Sequence, residues 1–465
     1  MIDNQSRIYC RFIDEMEDRL DENFNNPKFD ELKIILKNAQ FDIMPIGDSR
    51  IKKLITSGKT PPNLQQSEDF EIPFIGGASI YDEKVDLLIA PRIKREIHET
   101  KLSSSKIKKG DVLITMVGVG IGRCAVFETD DECNANQALA ILRINEEKVI
   151  PKFLLKYLHS RIGQLFLEKL QHIASQPNIN LEEIQTIDII LPEKGHQETI
   201  LSNLNKLENE INDLETKMKN NLKKMYSILF DGLGINLPPD TDILYYFDEL
   251  DYDDRLSFGM HHPNNKALQK ALKQAQYKPR PLDDFVTLSD DHIDTSKTLP
   301  DSIFSYIGLE DIEQNTGKLI EVKELLGKEI MSKSKIFKRG QLMFSGLRPY
   351  LNKAFILNEP ESAIGSPELF VCSAKDGVSL ELLKYYLISE ATLRQTKWIL
   401  SGSSYPRLDD NDFLNLQVII PEDNTEQIKI LEKIKKVDKE IEYLKNAIDE
   451  KKREMRDKFE KMLYS

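Results

Sequence analysis

Two stretches of the chain carry apolar residues at alternating steps of three and four positions. The first begins near residue 200 and the second near residue 431, with charged residues between the apolar ones. This spacing is typical of the a and d positions of a coiled coil, and Lys451 is the one break in it. At a rise of 1.5 Å per residue, each helix would be roughly 50–60 Å long. The residues predicted to pack the helix pair are Ile200, Leu204, Leu207, Ile211, Leu214, Met218, Leu431, Ile434, Ile441, Leu444 and Ile448.

The first long helix is predicted to end within Asp231-Gly232-Leu233-Gly234, because glycine favours helix ends and Pro238-Pro239 follows. An apolar seam of this length is not stable in water by itself. The simplest arrangement is that the two seams bury each other in antiparallel order. Such a pair would fix the separation of whatever globular parts it joins.

Short apolar runs that end in glycine indicate a mostly antiparallel sheet in each half. In the first half they cover 72–77, 107–115 and 123–127, and in the second half 304–308, 337–345 and 353–357. Shorter helices are predicted at 29–40, 151–170, 264–276 and 379–399. A polar loop at 174–180 or 401–410 follows the middle helix of each half.

The same order of motifs occurs twice. Asp18-Arg19-Leu20 returns as Asp254-Arg255-Leu256, and Leu191-Pro192-Glu193 returns as Ile420-Pro421-Glu422. The offset begins at 236 and settles near 230, which indicates a tandem duplication of two domains and not a solenoid. The predicted fold class is therefore α+β, with two related domains, an antiparallel coiled coil and pseudo-twofold symmetry. The predicted boundaries are 1–195 for the first domain, 196–231 for the first helix, 232–246 for a linker, 247–423 for the second domain and 424–465 for the second helix.

The charge is unevenly distributed along the chain. The net charge of −13 argues against simple nucleic-acid binding, yet residues 14–31 and 240–255 each carry −6 and residues 283–294 carry −5. In contrast, residues 92–109 carry +5 and residues 333–353 carry +6. Local potential governs binding more than net charge does, so a nucleic-acid partner stays possible. A solvated acidic surface with ordinary lysine-rich turns is the alternative that charge alone leaves open.

Motifs for catalysis or cofactor binding are missing from the sequence. Gly118 to Gly122 precedes a strand-like segment, whereas a dinucleotide loop requires a helix there, and Ser57-Gly58-Lys59-Thr60 lacks the P-loop glycine because position 53 is lysine. The four cysteines have no CxxC spacing and the seven histidines form no HExxH pair, so no metal site is predicted. No membrane span or signal peptide is recognised, and a cytoplasmic location is expected. These absences favour a non-catalytic binding protein.

The candidates for DNA contact are side chains in turns. Lysine and arginine neutralise phosphates, and arginine and amide groups read base edges. Ordinary turn residues are the competing interpretation. The candidates are Lys59, Thr60, Arg92, Lys94, Arg95, Lys106, Lys108, Lys109, Gln176, Asn178, Lys333, Lys335, Lys338, Arg339, Arg348, Tyr350, Lys353, Ser403, Ser404, Tyr405 and Arg407.

Taken in order, these motifs resemble those of a known family. Ser57-Gly58-Lys59-Thr60-Pro61 is similar to a turn of that family, and Gly110-Asp111-Val112-Leu113-Ile114 and Leu347-Arg348-Pro349-Tyr350-Leu351 are similar to its strand and loop motifs. Ser401-Gly402-Ser403-Ser404 and the junctions that follow Pro192 and Pro421 are similar too. The chain thus resembles the specificity subunit of type I restriction–modification systems. It departs from the pattern in the second half, where Leu288-Ser289-Asp290-Asp291 replaces the first turn.

The resemblance implies two target recognition domains, each of which reads one half of a split site in double-stranded DNA. It also implies that the helix pair sets the spacing and docks two methyltransferase subunits, with restriction and translocation subunits as further partners. S-adenosylmethionine, ATP and magnesium would be bound by those partners, and none by this chain. A related phage-defence or solitary methylation system, or a coiled-coil scaffold that binds proteins instead of DNA, are the alternatives.

Overall fold

The computed structural model describes Arg19 and residues 23–61, 64–66, 70–87, 89–118, 120–172, 177–241, 261–330, 332–399 and 406–464. Part of the acidic stretch 14–31, most of the acidic stretch 240–255, part of the predicted linker, the 401–404 motif, Gln176 and Tyr405 lie outside these residues. The chain divides into unit 1, residues 1–215 with 446–465, and unit 2, residues 216–445. The domain boundaries inferred from the sequence stay a prediction.

Unit 1 combines short strands with short helices. Its strands are β1 (Asp42–Pro45), β2 (Lys52–Ser57), β3 (Ile72–Ile75), β4 (Ile80–Tyr81), β5 (Lys84–Val85), β6 (Arg92–Ile93), β7 (Lys106–Ile107), β8 (Val112–Thr115), β9 (Cys124–Val126), β10 (Cys133–Ala135), β11 (Leu139–Ile144) and β12 (Asp188–Leu191). Its helices are α1 (Asp30–Lys37), α2 (Arg95–Glu99), α3 (Pro151–His159), α4 (Arg161–Lys169), α5 (Leu181–Gln185) and the first part of α6 (Lys194–Leu233).

Unit 2 is built from the same kinds of element. Its strands are β13 (Arg280–Pro281), β14 (Val286–Ser289), β15 (His292–Ile293), β16 (Ile303–Ile307), β17 (Lys323–Leu326), β18 (Ser334–Lys338), β19 (Leu342–Ser345), β20 (Ala354–Ile356), β21 (Ser362–Gly365), β22 (Leu369–Ala374) and β23 (Gln417–Val418). Its helices are α7 (Pro263–Lys273), α8 (Thr295–Thr298), α9 (Leu380–Leu387), α10 (Glu390–Ile399), α11 (Asp410–Leu414), the last part of α6 and the first part of α12 (Asn424–Tyr464).

The two units share one sheet topology. The order β2-β11-β8-β9 in unit 1 corresponds to β14-β22-β19-β20 in unit 2, and all of these neighbours are antiparallel. A second sheet, β6-β3-β10-β7 or β17-β16-β21-β18, contains one parallel pair in each unit, β3 with β10 and β16 with β21. Unit 2 adds β15 at the edge. The predicted α+β duplication with mostly antiparallel sheets is therefore confirmed.

The helix predicted over 151–170 is wrong in one respect, because the chain breaks into α3 and α4 at Ser160. Ser160 has extended backbone angles and its hydroxyl accepts a hydrogen bond from the backbone N–H of Gly163, so it caps α4. Gly163 lies so close to α3 that a Cβ there would be 2.2 Å from the carbonyl oxygen of Tyr157. The helix predicted over 379–399 is also interrupted, between α9 and α10.

Both long helices are present, and they run antiparallel within each unit. In unit 1, Lys458 donates to the carbonyl oxygen of Asn203 at 2.7 Å, and Phe153 of α3 packs against Phe459 at 5.5 Å between ring centroids. In unit 2, Asn221 donates to Glu440 at 3.3 Å. Of the residues predicted to pack the pair, Leu214 and Met218 are half-buried, and the others are buried: Ile200, Leu204, Leu207, Ile211, Leu431, Ile434, Ile441, Leu444 and Ile448.

Charged groups occupy the edges of the helix pair in unit 1. Lys451, which breaks the apolar pattern, lies 2.9 Å from both Glu210 and Glu454, and these hydrogen bonds raise the pKa of Lys451 to about 12. Glu208 of α6 lies 2.6 Å from Lys152 and 3.3 Å from Lys156, both on α3. Burial alone would raise the pKa of Glu208, but the hydrogen bonds and charges of these two lysines outweigh it and lower the pKa. The interrupted pattern at Lys451 is therefore compensated by ion pairs.

Among the described residues, no helix has the length and apolar character needed to cross a membrane.

Candidate nucleic-acid interface

Loops gather at one end of the main sheet in unit 1. Strands β2 and β8 both run antiparallel to β11, so their C-terminal ends lie beside the start of β11. Backbone hydrogen bonds then tie the loops together. Lys59 donates to Ala135 at 3.1 Å, Met116 donates to Ala138 at 2.7 Å, and Ile179 donates to Met116 at 2.9 Å. We call residues 57–61, 116–118, 136–138 and 177–179 the loop rim of unit 1.

The Ser57-Gly58-Lys59-Thr60-Pro61 turn is held tightly against the rest of the rim. Gly58 donates its N–H to the carbonyl oxygen of Leu139 at 2.9 Å. A Cβ at Gly58 would lie 1.9 Å from the carbonyl oxygen of Asn136, so only glycine fits this close approach of two backbones. The clamp at Gly58 leaves Lys59 and Thr60 exposed beyond it. The turn thus presents one cation and one hydroxyl on a rigid backbone.

An open concavity lies beside this turn. Its volume is about 530 Å³, and it is lined by Gly58, Lys59, Thr60, Pro61, Lys101 and Gln137. Lys101 and Gln137 come from separate segments and were not among the candidates that the sequence predicted. Only the fold brings them beside Lys59, and nothing local in the sequence signals it. The lining combines two ammonium groups, a hydroxyl and an amide, which are groups that bind phosphates and base edges.

Unit 2 has an equivalent loop rim, formed by residues 289–291, 346–353, 366–368 and 406–408. The ends of β14 and β19 lie beside the start of β22. Gly346 donates to the carbonyl oxygen of Glu368 at 2.8 Å, and Arg348 donates its backbone N–H to Pro406 at 2.8 Å. The bridge between Leu347 and Arg407 matches the one between Val117 and Asn178 in unit 1. The structure therefore brings Arg348 and Arg407 together although 59 positions separate them in the sequence.

The side chains on the rim of unit 2 differ from those of unit 1. Arg407 forms a two-point ion pair with Glu368, at 3.0 and 2.8 Å. Tyr350 is 44% exposed, and Lys353 donates from its ammonium group to the carbonyl oxygen of Leu309. Arg348 adopts a left-handed backbone with φ of 50°, which is uncommon outside glycine. The rim of unit 2 thus carries arginines, carboxylates and an aromatic ring, where the rim of unit 1 carries one lysine together with hydroxyl and amide side chains.

The turn that replaces Ser57 to Pro61 in unit 2 is acidic. Asp290 is largely exposed, and Lys335 of β18 lies 3.8 Å from it. The ammonium group of Lys335 also lies 6.0 Å from the ring centre of Phe370. Lys333 is exposed just before β18. The two rims therefore differ in charge at matching positions of the same scaffold.

A second group of predicted residues lies away from the rims. Lys108 and Lys109 occupy the turn that precedes β8, and Lys338 and Arg339 occupy the turn around the end of β18 that precedes β19. The rim loops follow the other ends of β8 and β19. A strand of four residues is about 13 Å long, so the structure separates these turns from the rims instead of joining them in one surface.

Acidic residues neutralise several cations of the 92–109 segment. Lys106 lies 2.6 Å from Glu99, Arg95 lies 2.7 Å from Glu132, and Lys109 lies 2.8 Å from Asp130. Hydrogen bonds from these cations lower the pKa of Glu99 and of Glu132, so both carboxyl groups are ionised at neutral pH. The positive charge counted along this segment is therefore partly cancelled by Glu132 and Asp130, which follow it in the sequence.

The remaining candidates of the first half make local contacts. The guanidinium group of Arg92 donates to the carbonyl oxygen of Glu71 at 2.9 Å. The ammonium group of Lys94 lies 5.2 Å from the ring centre of Phe70. Asn178 exchanges backbone hydrogen bonds with His172 and is half-buried.

A buried histidine beside two carboxylates was also missed by the sequence patterns. His98 and Glu99 end α2, and Glu132 precedes β10, so 33 positions separate the two carboxylates. The three side chains place ligand atoms within 4.8 Å of one another. No fixed spacing links them, and only the packing of α2 against β10 makes the cluster visible.

Curated proteins with similar sequences are specificity subunits. The chain is 28% identical over 169 residues to the type I restriction enzyme EcoBI specificity subunit of Escherichia coli, and the aligned region covers 36% of this chain and 35% of that protein. It is 25% identical over 136 residues to the HindI specificity subunit of Haemophilus influenzae, which covers 29% of each. The chain thus matches about a third of the length of these relatives.

Two solved structures align with most of this chain at low sequence identity and low TM-score. The S subunit of a type I restriction–modification system from M. genitalium has a TM-score of 0.37 and 11% identity, covering 92% of this chain and 96% of that one. The HsdS subunit from Thermoanaerobacter tengcongensis has a TM-score of 0.31 and 13% identity, covering 91% and 97%.

The family model described as the type I restriction modification DNA specificity domain matches both halves of the chain. The matches cover residues 46–224 and 275–451, which is well over half of the sequence. Each match contains one loop rim and a large part of one long helix. The predicted resemblance is therefore confirmed, and the chain belongs to the family of type I restriction–modification DNA specificity domains.

Proposed function

We propose that this chain is the DNA-recognition subunit of a type I restriction–modification complex, in which each half reads one half of a bipartite site. The observation that best supports this proposal is the loop rim, which occurs in both units on the same sheet topology but with different side chains. A pair of heads that read different half-sites needs a common scaffold and divergent contact groups. The chain itself performs no catalysis in this proposal.

The electrostatics of the rims support contact with DNA despite the net charge of −13. Lys59 and Lys101 line the concavity of unit 1, and both are exposed without an ion-pair partner among the described residues. Such lysines can neutralise phosphates without first breaking an internal pair. Arg348 and Tyr350 supply unit 2 with groups that hydrogen-bond to or pack on bases. Phosphate contacts would position each head, and the remaining polar groups would read sequence.

The two long helices are proposed to set the spacer of the DNA site. They comprise 40 and 41 residues, about 60 Å each at the helical rise. Each unit buries a segment of both helices against each other, so their combined length is available to fix a distance. The proposal also gives the pair the task of docking two methyltransferase subunits. Restriction and translocation subunits complete the complex, whose S-adenosylmethionine, ATP and magnesium are bound outside this chain, in the cytoplasm.

One surface of the helix pair in unit 2 suits such docking. Tyr443 is 72% exposed, and a concavity of about 520 Å³ beside it is lined by Lys217, Asn220, Asn221, Lys439, Glu440, Tyr443 and Leu444. An exposed aromatic ring with polar neighbours is typical of protein interfaces.

The spacer can be tested with the chain assembled on a methyltransferase partner. Deleting one heptad from each helix, residues 213–219 and 442–448, shortens the pair by roughly 10 Å while keeping the apolar period. We expect the preferred spacer to shorten by about three base pairs, read from methylation of a library of sites with varied spacers. A control variant keeps the length and replaces only exposed residues of the same heptads that lie outside this concavity, Asp213, Lys219 and Asn446. An unchanged spacer in the deletion variant would contradict the proposal.

A further inference from the structure

His98 is a buried histidine whose outer ring nitrogen points at two carboxylates. The side chain is 1% exposed, at the last turn of α2. Its Nδ1 lies 2.6 Å from Oδ1 of Asn134 on β10. Its Nε2 is buried and has no hydrogen-bond partner among the described residues. A buried ring nitrogen without a partner is costly in a folded protein, so a ligand for it is to be expected.

The surrounding hydrogen bonds define which nitrogen of His98 carries the proton. The amide nitrogen of Asn134 donates to the carbonyl oxygen of Leu102 at 2.8 Å and to the hydroxyl of Ser105 at 3.2 Å. This leaves Oδ1 of Asn134 as the acceptor that faces His98. Nδ1 of His98 must then donate, and Nε2 carries the lone pair in the neutral ring. Metal-binding histidines are commonly oriented in this way by an acceptor behind the ring.

Each carboxylate beside His98 uses one oxygen for a cation and turns the other toward the ring. Glu99 binds Lys106 through Oε2, and its Oε1 lies 3.5 Å from Nε2 of His98. Glu132 binds Arg95 through Oε2, and its Oε1 lies 3.8 Å from Nε2. These separations are too long for a good hydrogen bond. They are close to the roughly 3.4 Å between neighbouring ligand atoms around a tetrahedral ion with bonds of 2.0–2.1 Å.

We infer that His98, Glu99 and Glu132 form a binding site for a divalent transition-metal ion of the zinc class. One imidazole and two carboxylate oxygens make a ligand set that zinc accepts, and calcium or magnesium would prefer oxygen ligands alone. Both glutamates are about half exposed, with side-chain exposures of 51% and 53%, so water can complete the coordination. The ion would join α2 to the start of β10. Sequence patterns predicted no metal site, and the inference does not rest on the proposed DNA function.

The experiment uses the full chain, freed of metal with a chelator and kept at pH 7. Zn²⁺ is titrated in competition with a chromophoric chelator, and Co²⁺ is added separately because its visible absorption reports the coordination directly. We expect one ion per chain and a Co²⁺ spectrum of tetrahedral type. Glu132→Gln is expected to weaken Zn²⁺ binding at least tenfold, since changes even to outer partners of metal ligands have effects of about that size. Glu132 is exposed, so this variant keeps the fold intact, and its unfolding midpoint without metal provides the check.

The matched control is His172→Gln. His172 also faces a carboxylate, with Nε2 at 2.8 Å from Glu183, but it is more exposed, and among the described residues no second glutamate forms a cluster with it. Binding in this variant should equal that of the parent chain. The inference is overturned if the parent chain shows no saturable site for one ion, if Glu132→Gln and His98→Gln bind as tightly as the parent, or if His172→Gln weakens binding to the same extent.

Discussion

Replacing Lys59 and Lys101 together with alanine should reduce the salt dependence of DNA binding. Both ammonium groups line the concavity on the loop rim of unit 1, and no ion pair among the described residues neutralises either one. Each is therefore expected to contact a phosphate and to release the counterion bound there. The double variant loses two such contacts without altering the buried part of the unit.

The magnitude follows from counterion release. Each phosphate contact adds about 0.9 to the slope of log Kobs against log salt concentration, so two contacts add about 1.8. Between 50 and 200 mM salt, a fourfold change, a slope of 1.8 corresponds to a change in affinity of about 12-fold. The affinity of the parent chain should thus fall about 12-fold more than that of the double variant over this range.

The assay is fluorescence anisotropy of a labelled 30-base-pair duplex at four or more salt concentrations. Lys148→Ala is the matched control, because Lys148 is an exposed lysine beyond the opposite end of β11. Lys106→Ala is a second comparison, and it should change the slope less because Glu99 already pairs with Lys106. The reasoning is refuted if the double variant keeps the slope of the parent, or if Lys148→Ala lowers the slope as much. A salt-independent interaction in the parent itself would favour the protein scaffold over DNA recognition.

Three further predictions concern stability. Gly58→Ala should lower the free energy of unfolding by about 1–3 kcal/mol, because the new Cβ would overlap the backbone of Asn136. Urea unfolding should show no comparable loss for Gly195→Ala, where a Cβ meets nothing within 4 Å. Equal losses in the two variants would contradict the close backbone approach at Gly58. Asp111→Gln should lower the free energy of unfolding by about 2 kcal/mol, because buried Asp111 accepts two hydrogen bonds from Arg143, at 2.8 and 2.7 Å. Adding Arg143→Ser reproduces the Gln341–Ser373 pair of unit 2 and should recover part of this stability. Additive losses in the double variant would count against the equivalence of the two pairs. Because the pKa of Glu208 is lowered in the folded state, its stabilising effect is complete above its unfolded-state pKa, near 4.3, and is lost as pH falls through the lower folded-state value. The difference in free energy of unfolding between the parent and Glu208→Gln should therefore shrink when unfolding is measured at successively lower pH. A difference that stays constant from pH 7 to pH 3 would be evidence against the ion pairs.

The long helices could be predicted because their signal is local and repetitive. An apolar period of three and four positions persists over about ten turns, and Ile434 and Phe459 lie in it and are buried. The break at Ser160 was missed because the apolar pattern continues across it. The close approach of Gly163 to Tyr157 that accompanies the break exists only once α3 and α4 have packed.

The candidate site was predicted less completely than the fold. The Ser57 to Pro61 turn and the Arg348 loop are contiguous motifs and could be found. The contribution of Lys101 to the same concavity depends on tertiary structure, as does the pairing of Arg95 with Glu132. Counting charge along the chain overestimated the positive character of residues 92–109, because Glu132 and Asp130, which pair with Arg95 and Lys109, lie outside the segment. Side chains that act together on a surface can be recognised only after the strands have been paired.

The composition of unit 1 has a consequence for how the protein folds during synthesis. This unit needs residues 446–465, which are made 230 positions after the rest of its chain. Met455, Phe459 and Leu463 are among the buried side chains of that segment. At about 5–20 residues per second, a ribosome requires roughly 12–46 seconds to make the intervening chain, and the apolar stripe of α6 that begins at Ile200 lacks its final cover throughout. We therefore expect the nascent chain to depend on chaperones during this interval, and a truncation before residue 446 to aggregate even though both sets of strands are complete.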